Sequence, residues 1–184
     1  VKGKNGDLYP FGSDIEKAYE HLMGVGKEMG FETKDFDHYG GHIELNAPDS
    51  DETFSIVGHL DVVPEGDGWE TDPYDPVIRD NWMYGRGTTD DKGPVIACLY
   101  AMTAINDAGI VAKKDIRLIV GLDEETEKEG MVYYLDKAGM PDMGITPDGD
   151  FPLINGEMGI LIFDMARKLK KHSKKDGLVL RKLE

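Results

Sequence analysis

The sequence predicts an α/β fold with a mostly parallel central sheet flanked by helices. Compact apolar strands alternate with stretches of helical period. One of those strands, 116–122 (IRLIVGL), is a nearly continuous apolar run, the pattern of a parallel strand covered on both faces. With 184 residues, 40% of them hydrophobic, the chain is long enough to bury a core of this kind.

The elements follow in order. Ser13-Asp14-Ile15-Glu16 reads as a capping box, and Ile15, Ala18, Tyr19, Leu22, Met23 and Met29 then recur at helical spacing until Gly30. Two short strands are expected at 31–36 and 42–46, and FSIVG (54–58) is a strand ending at His59. A turn-rich stretch from Pro64 to Pro76 leads to a small hairpin, 77–79 and 82–84, around Asp80-Asn81. After the glycine-rich GRGTTDDKGP (85–94), the segment 95–105 is apolar on nearly every face and predicts a buried helix stopped by Gly109. Thr126 to Glu129 reads as a second capping box, for a helix ending near Gly139, and MGIT (143–146) as a short strand running into Pro147-Asp148. Alternating apolar residues around Gly156 and Gly159 suggest a hairpin over 152–165.

Thirty-six acidic side chains face 21 basic ones, a formal charge of −15. That balance argues against nucleic acid or an anionic membrane as a partner and in favour of metals or cationic groups. No apolar run approaches the roughly 18 residues of a membrane helix. The single cysteine, Cys98, excludes an internal disulfide and no charged-then-apolar leader opens the chain, so the cytoplasm is the expected compartment. Residues 167–184 depart from the rest, with 8 Lys/Arg against 2 acids.

The chemistry concentrates where strands end, because ligands in open α/β sheets bind beyond the carboxyl ends of the strands. FSIVG runs into His59-Leu60-Asp61, IRLIVGL into Asp123-Glu124-Glu125, and MGIT into Pro147-Asp148; Asp90-Asp91 stands in the turn before the apolar helix. If the strands are neighbours, these acids share one rim and repel one another unless a cation holds them. One imidazole among carboxylates suits zinc, cobalt or manganese. His59 and Asp61 project to the same side of an extended segment, as two ligands or as a ligand with the carboxylate that orients its ring. Of Glu124 and Glu125, one can bind metal while the other serves as general base. For the strand-end Asp148 the alternative is Asp150.

GHLDVVP (58–64), GRGTTDDKGP (85–94), DEE (123–125) and PDGDFP (147–152), in this order and spacing, resemble the dinuclear-zinc exopeptidases that include carnosinases, aminoacylases and bacterial dipeptidases. Within them the PepV-type dipeptidases are the most similar, through GWETDPYDPVI, the doubled Asp and PDGDFP. The resemblance implies a metal-dependent hydrolase that cleaves the amide bond of dipeptides by attack of a metal-bridging water. It implies His59 as a ligand of the first metal, oriented by Asp61, and Asp90 as the bridge between two zinc ions, with manganese or cobalt as alternatives. Glu124 becomes the general base and acid, Glu125 a ligand of the second metal, and Asp148 the residue completing the first. It also implies a cis peptide at Asp90-Asp91.

The family's second metal takes a further histidine from beyond an inserted lid domain, and the one histidine after Asp148 is His172, in a lysine-rich stretch without a motif. Residues 1–166 therefore read as the N-terminal part of a metallopeptidase catalytic domain, and 167–184 as a basic segment leading towards the lid and C-terminal half. The expected partners are a small peptide and that C-terminal half; a second copy of the chain as a homodimer stays open. Three alternatives stand beside dipeptide cleavage: removal of an acyl group from an amino acid, a non-catalytic metal-binding fragment, and an acidic binding domain without metal. Cys98 and the nine methionines read as packing, and His21, His38 and His42 as structural. Lys92 and Arg86 serve either a substrate carboxylate or the support of the glycine-rich turn.

Overall fold

A computed structural model describes residues 9–163. Seven strands and three helices follow one another: α1 (Ser13–Glu28), β1 (Glu32–Asp35), β2 (Gly40–Leu45), β3 (Thr53–His59), β4 (Val77–Arg79), β5 (Trp82–Tyr84), α2 (Lys92–Asp107), β6 (Asp115–Gly121), α3 (Glu129–Ala138) and β7 (Met143–Ile145). Among the described residues, those up to Gly149 belong to one unit and those from Asp150 to a second.

The main sheet has the order β1-β2-β6-β3-β7. β6-β3 and β3-β7 pair in parallel, while β2 runs antiparallel to both β1 and β6, so four of the five strands point the same way. Side-chain alternation explains the layers. Leu118 and Val120 of β6 join Ile43 and Ile56 in a core with Tyr19 and Leu22 of α1 and with Val95, Leu99 and Met102 of α2. Ile119, between them, belongs to a second core with Phe36 and with Tyr134 of α3. Under α3 the buried His42 Nδ1 lies 2.7 Å from the Tyr134 hydroxyl. The Arg117 guanidinium pairs with Glu44 at 2.6 Å beside them.

The expected hairpin forms: β4 and β5 are joined by Asp80 and Asn81, both at positive φ (50° and 65°), the backbone of a tight primed turn.

Four expectations are corrected. Ser13 does not cap α1: Gly12 occupies that position without a side-chain cap, and Glu16 is buried with its carboxylate 2.6 Å from His38 Nδ1. Thr126 does not cap α3 either. Asp123 accepts the N–H groups of Glu129 (2.6 Å) and Gly130 (3.0 Å), because the loop brings that earlier acid under the helix start. α2 is not buried all round; it lies on one face of the sheet, so Ile96 and Tyr100 turn outwards at 39% and 59% exposure. Over 152–163 no strand forms, and residues 164–165 lie outside the described residues. Residues 150–163 are exposed throughout, and an isolated two-stranded ribbon is marginal in water. The basic segment 167–184, with His172, also lies outside the described residues. Among the described residues no helix is long and apolar enough to cross a membrane.

Candidate metal centre

Register explains why the site forms. His59 pairs with Gly121, so β3 and β6 end level and release His59-Leu60-Asp61 and Leu122-Asp123-Glu124-Glu125 at one rim. β7 stops earlier, opposite Ile56, and Thr146-Pro147 carry the chain to Asp148. The glycine-rich turn before α2 brings Asp90 and Asp91, whose peptide bond is cis.

The geometry centres on His59, whose side chain is 2% exposed. Its Nε2 is 3.0 Å from Asp90 Oδ1 and 3.4 Å from Asp148 Oδ2, yet makes no hydrogen bond of acceptable angle. Its Nδ1 faces Asp61, 3.1 Å from the backbone carbonyl and 3.3 Å from the carboxylate. Ligand atoms of His59, Asp90 and Glu125 lie within 4.8 Å of one another, as do those of His59, Glu124 and Asp148. All six residues singled out from the sequence are therefore at one place: His59 and four acids around it offer ligand atoms, and Asp61 stands behind the ring of His59. Asp150 belongs to the second unit.

The supports are equally specific. Asp61 is buried, and its two carboxylate oxygens accept the backbone N–H groups of Glu124 (3.0 Å) and Glu125 (2.9 Å), tying the β3 and β6 loops together. Burial pushes its pKa up, but His59 and those two N–H donors more than reverse this and hold it below the usual range. Burial likewise works against charge on His59, and is outweighed by Asp61 and by the nearby Asp91 and Asp148, so the ring is raised to about 9. Glu125 is raised first by burial and then by the charge of Asp90. The site thus demands positive charge, and a buried imidazole nitrogen without a hydrogen-bond partner, aimed at carboxylate oxygens, is the donor set that a divalent cation fits.

Three further residues take part: Asp91 and Asp123, placed at the rim from the sequence without a role of their own, and Lys128. Asp91 is fully buried and accepts the backbone N–H of His59 at 3.1 Å; burial raises its pKa to about 6. The doubled Asp was its signal. Asp123 caps α3, as described above. Lys128, at positive φ (58°), places its Nζ 2.5 Å from Glu124 Oε1, and the Glu-to-Lys spacing of four residues was its signal. Arg86 takes the supporting alternative: its guanidinium donates to the Glu65 carbonyl at 2.9 Å and lies over the Trp69 ring.

At the carboxyl rim of this mixed, mainly parallel sheet, one histidine and four acids are gathered so that they could hold a metal ion. Residues 56–166 match the peptidase family M20/M25/M40, and the chain belongs to that family. It is 42% identical over 161 residues to a protein of Staphylococcus saprophyticus and 41% identical over 152 residues to YtjP of Bacillus subtilis, both bearing the name "putative dipeptidase". These alignments cover 88% and 83% of this chain but only 34% and 32% of the relatives, so the chain spans about a third of their length. Among solved structures, human carnosine dipeptidase 1 superposes with a TM-score of 0.65 and 25% identity, over 75% of this chain and 33% of its own. The M20 family metallo-carboxypeptidase Sso-CP2 of Sulfolobus solfataricus shares the fold, with a TM-score of 0.61 and 22% identity over 78% and 34% of the two chains.

Proposed function

We propose that this chain is the N-terminal part of a metal-dependent dipeptidase, with residues 1–166 contributing to its catalytic domain and 167–184 leading towards the remainder. The observation that carries the reading is the buried, unpartnered Nε2 of His59 with Asp90 Oδ1 and Asp148 Oδ2 at 3.0 and 3.4 Å. His59, Asp90 and Asp148 would hold one divalent cation, and Asp90 with Glu125 would contribute to a second, zinc being the ion that the donor set suits best. Such ions, when bound, supply the positive charge that polarises an amide carbonyl and eases deprotonation of water.

The chain's own residues supply the rest. Asp61 fixes the ring of His59 through Nδ1 and so directs Nε2 at the carboxylates. Glu124 is the proton carrier: its carboxylate takes the proton of the attacking water as the water oxygen bonds to the carbonyl carbon. It then delivers that proton to the amine nitrogen as the C–N bond breaks. The names of the relatives favour a dipeptide over an acyl-amino acid as substrate.

The test is zinc titration by calorimetry together with hydrolysis of Ala-Leu. H59A and D90A are expected to lose zinc affinity, and E124A to keep zinc but lose hydrolysis. Zinc binding that is indifferent to H59A and D90A overturns the metal centre. The third of the relatives' length that the chain spans favours a second reading, metal binding without turnover by this chain alone. Zinc binding by the wild type with no hydrolysis of Ala-Leu selects it.

A further inference from the structure

The turn between β1 and β2 stands at the same rim as the carboxylate cluster, because Gly40, the first residue of β2, pairs with Gly121, the last of β6. Asp37 and His38 both take positive φ in it (54° and 62°), and their side chains reach different helices. His38 Nδ1 lies 2.6 Å from the buried Glu16 carboxylate of α1, while Asp37 accepts the Tyr133 hydroxyl of α3 at 2.5 Å. Tyr39, the next residue, stacks on Tyr133 with ring centroids 4.4 Å apart, and its carbonyl stands so close to Gly130 that a Cβ there would run into it. Gly130 is one of the two residues whose N–H groups Asp123 accepts, so the turn meets α3 beside the anchorage of the Glu124-Glu125 loop.

His38 is the titratable joint of this arrangement. Its side chain is 40% exposed and that of Glu16 4%, so the ring exchanges protons with solvent while the carboxylate depends on it for a partner. Among the described residues the groups facing the ring are Glu16 and Glu20 of α1, Asp35 of β1 and the Tyr9 ring, edge-on at 6.0 Å; Tyr19 and Lys27 line the same groove. Asp35 also accepts the His38 backbone N–H at 3.2 Å and the Tyr19 hydroxyl at 2.8 Å, which fixes the turn against α1. Burial works against charge on His38, but Glu16, and then Asp35 and Glu20, outweigh it and raise its pKa above the ordinary value. A neutral imidazole still donates from Nδ1, yet the charge-assisted bond is about twice as strong.

We infer that the turn Asp37-His38-Tyr39 is a pH-sensitive clasp: with His38 protonated it ties the start of α1 to the start of α3 at the rim, and loss of that proton slackens the tie. The clasp is independent of the dipeptidase reading, since none of its residues belongs to the metal centre. Its stabilisation is complete below about 6.5, the value of an unfolded histidine, and is lost as pH rises through the higher value of the folded chain.

The experiment measures urea midpoints at pH 6 and pH 9 by circular dichroism for the wild type, H38N, H38K, E16Q, Y133F and the double variant H38N/Y133F. Asparagine suits the positive φ of position 38. Between the two pH values the wild-type midpoint is expected to fall by about 0.5 M more than that of H38N or E16Q, the loss of one charge-assisted bond. His59 and the other titrating groups are common to all variants and cancel in these differences. H38K, cationic at both pH values, should follow H38N in pH dependence but exceed its midpoint at pH 9. At pH 6 the double variant should lose less than H38N and Y133F lose separately, by about 0.3 M or more, because each single change already opens the clasp. A pH dependence in H38N and E16Q equal to that of the wild type overturns the titratable joint, and additive losses in H38N/Y133F overturn the tie between the helices. E16Q takes the place of H38N in both comparisons if H38N does not unfold cooperatively.

Discussion

Removing Asp123 tests how the second glutamate-bearing loop is anchored. Its carboxylate is 4% exposed and accepts the first N–H groups of α3, from Glu129 at 2.6 Å and Gly130 at 3.0 Å. In Asp123→Ala both donors lose their partner, one of them buried, and the helix loses the only side-chain cap it has among the described residues. Loss of a cap costs about 1 kcal/mol and each orphaned buried donor about 1–3 kcal/mol, so the expected destabilisation is about 2–4 kcal/mol. With a urea m-value of about 2 kcal/mol/M for a domain of this size, the unfolding midpoint should fall by roughly 1–2 M, followed by circular dichroism. Asp123→Asn keeps one acceptor oxygen and should lose about half as much. The control is Thr126→Ala, whose hydroxyl donates one part-buried bond to the Asp123 carbonyl at 3.2 Å and should cost about 1 kcal/mol. A Thr126→Ala loss equal to or larger than that of Asp123→Ala would mean that the threonine caps α3 after all and would refute the assignment.

Other outcomes follow from the same coordinates. Burial, with the charges of Arg117 and Lys34, lowers the pKa of His42 to about 3, so between there and 6.5 the unfolded chain holds a proton that the folded chain lacks. Stability therefore falls as pH drops through 6.5, by about 2 kcal/mol at pH 5, and the difference in urea midpoint between pH 7.5 and pH 5 should shrink in His42→Asn. Gly58→Ala would place a Cβ 2.5 Å from Val95 Cγ2 and 2.6 Å from Asp91 Oδ2. It should cost about 1–3 kcal/mol in thermal unfolding and also weaken zinc binding, since Asp91 holds the backbone of His59. Asp61→Ala frees the ring of His59 and should reduce zinc affinity by about 10–100-fold in calorimetry, with little change if the carboxylate only ties loops together. Asn81→Gly, at φ 65°, should raise stability by a few tenths of a kcal/mol to about 1 kcal/mol, read from the melting temperature.

The strand ends were legible because each combines two local signals. FSIVG and IRLIVGL are short apolar runs, and the residues that terminate them are charged, so the chain itself marks where a covered strand becomes an exposed rim. The hairpin at Asp80-Asn81 was legible for a similar reason, since those residue types tolerate the positive φ that the turn requires. Both capping boxes misled. Ser13 and Thr126 satisfy the spacing rule, but a side-chain oxygen caps whichever N–H the loop path brings to it. Glu16 reaches His38 and Asp123 reaches Glu129 instead. The apolar α2 misled as well, because composition reports what a helix can bury and not how many neighbours come to bury it.

Sequence alone determined the chemical inventory and its order: one histidine and a set of acids placed where apolar strands stop, spaced as in the M20 peptidases. Tertiary structure alone decided which of those groups face one another. The level register of β3 with β6, the return of β7 along the other side of β3, and the turn carrying Asp90 set Asp90 and Asp148 within 3.4 Å of a nitrogen that is 31 and 89 residues away along the chain. Side-chain patterns act over one turn or one strand pair, whereas repulsion among carboxylates and their grip on a cation act through space.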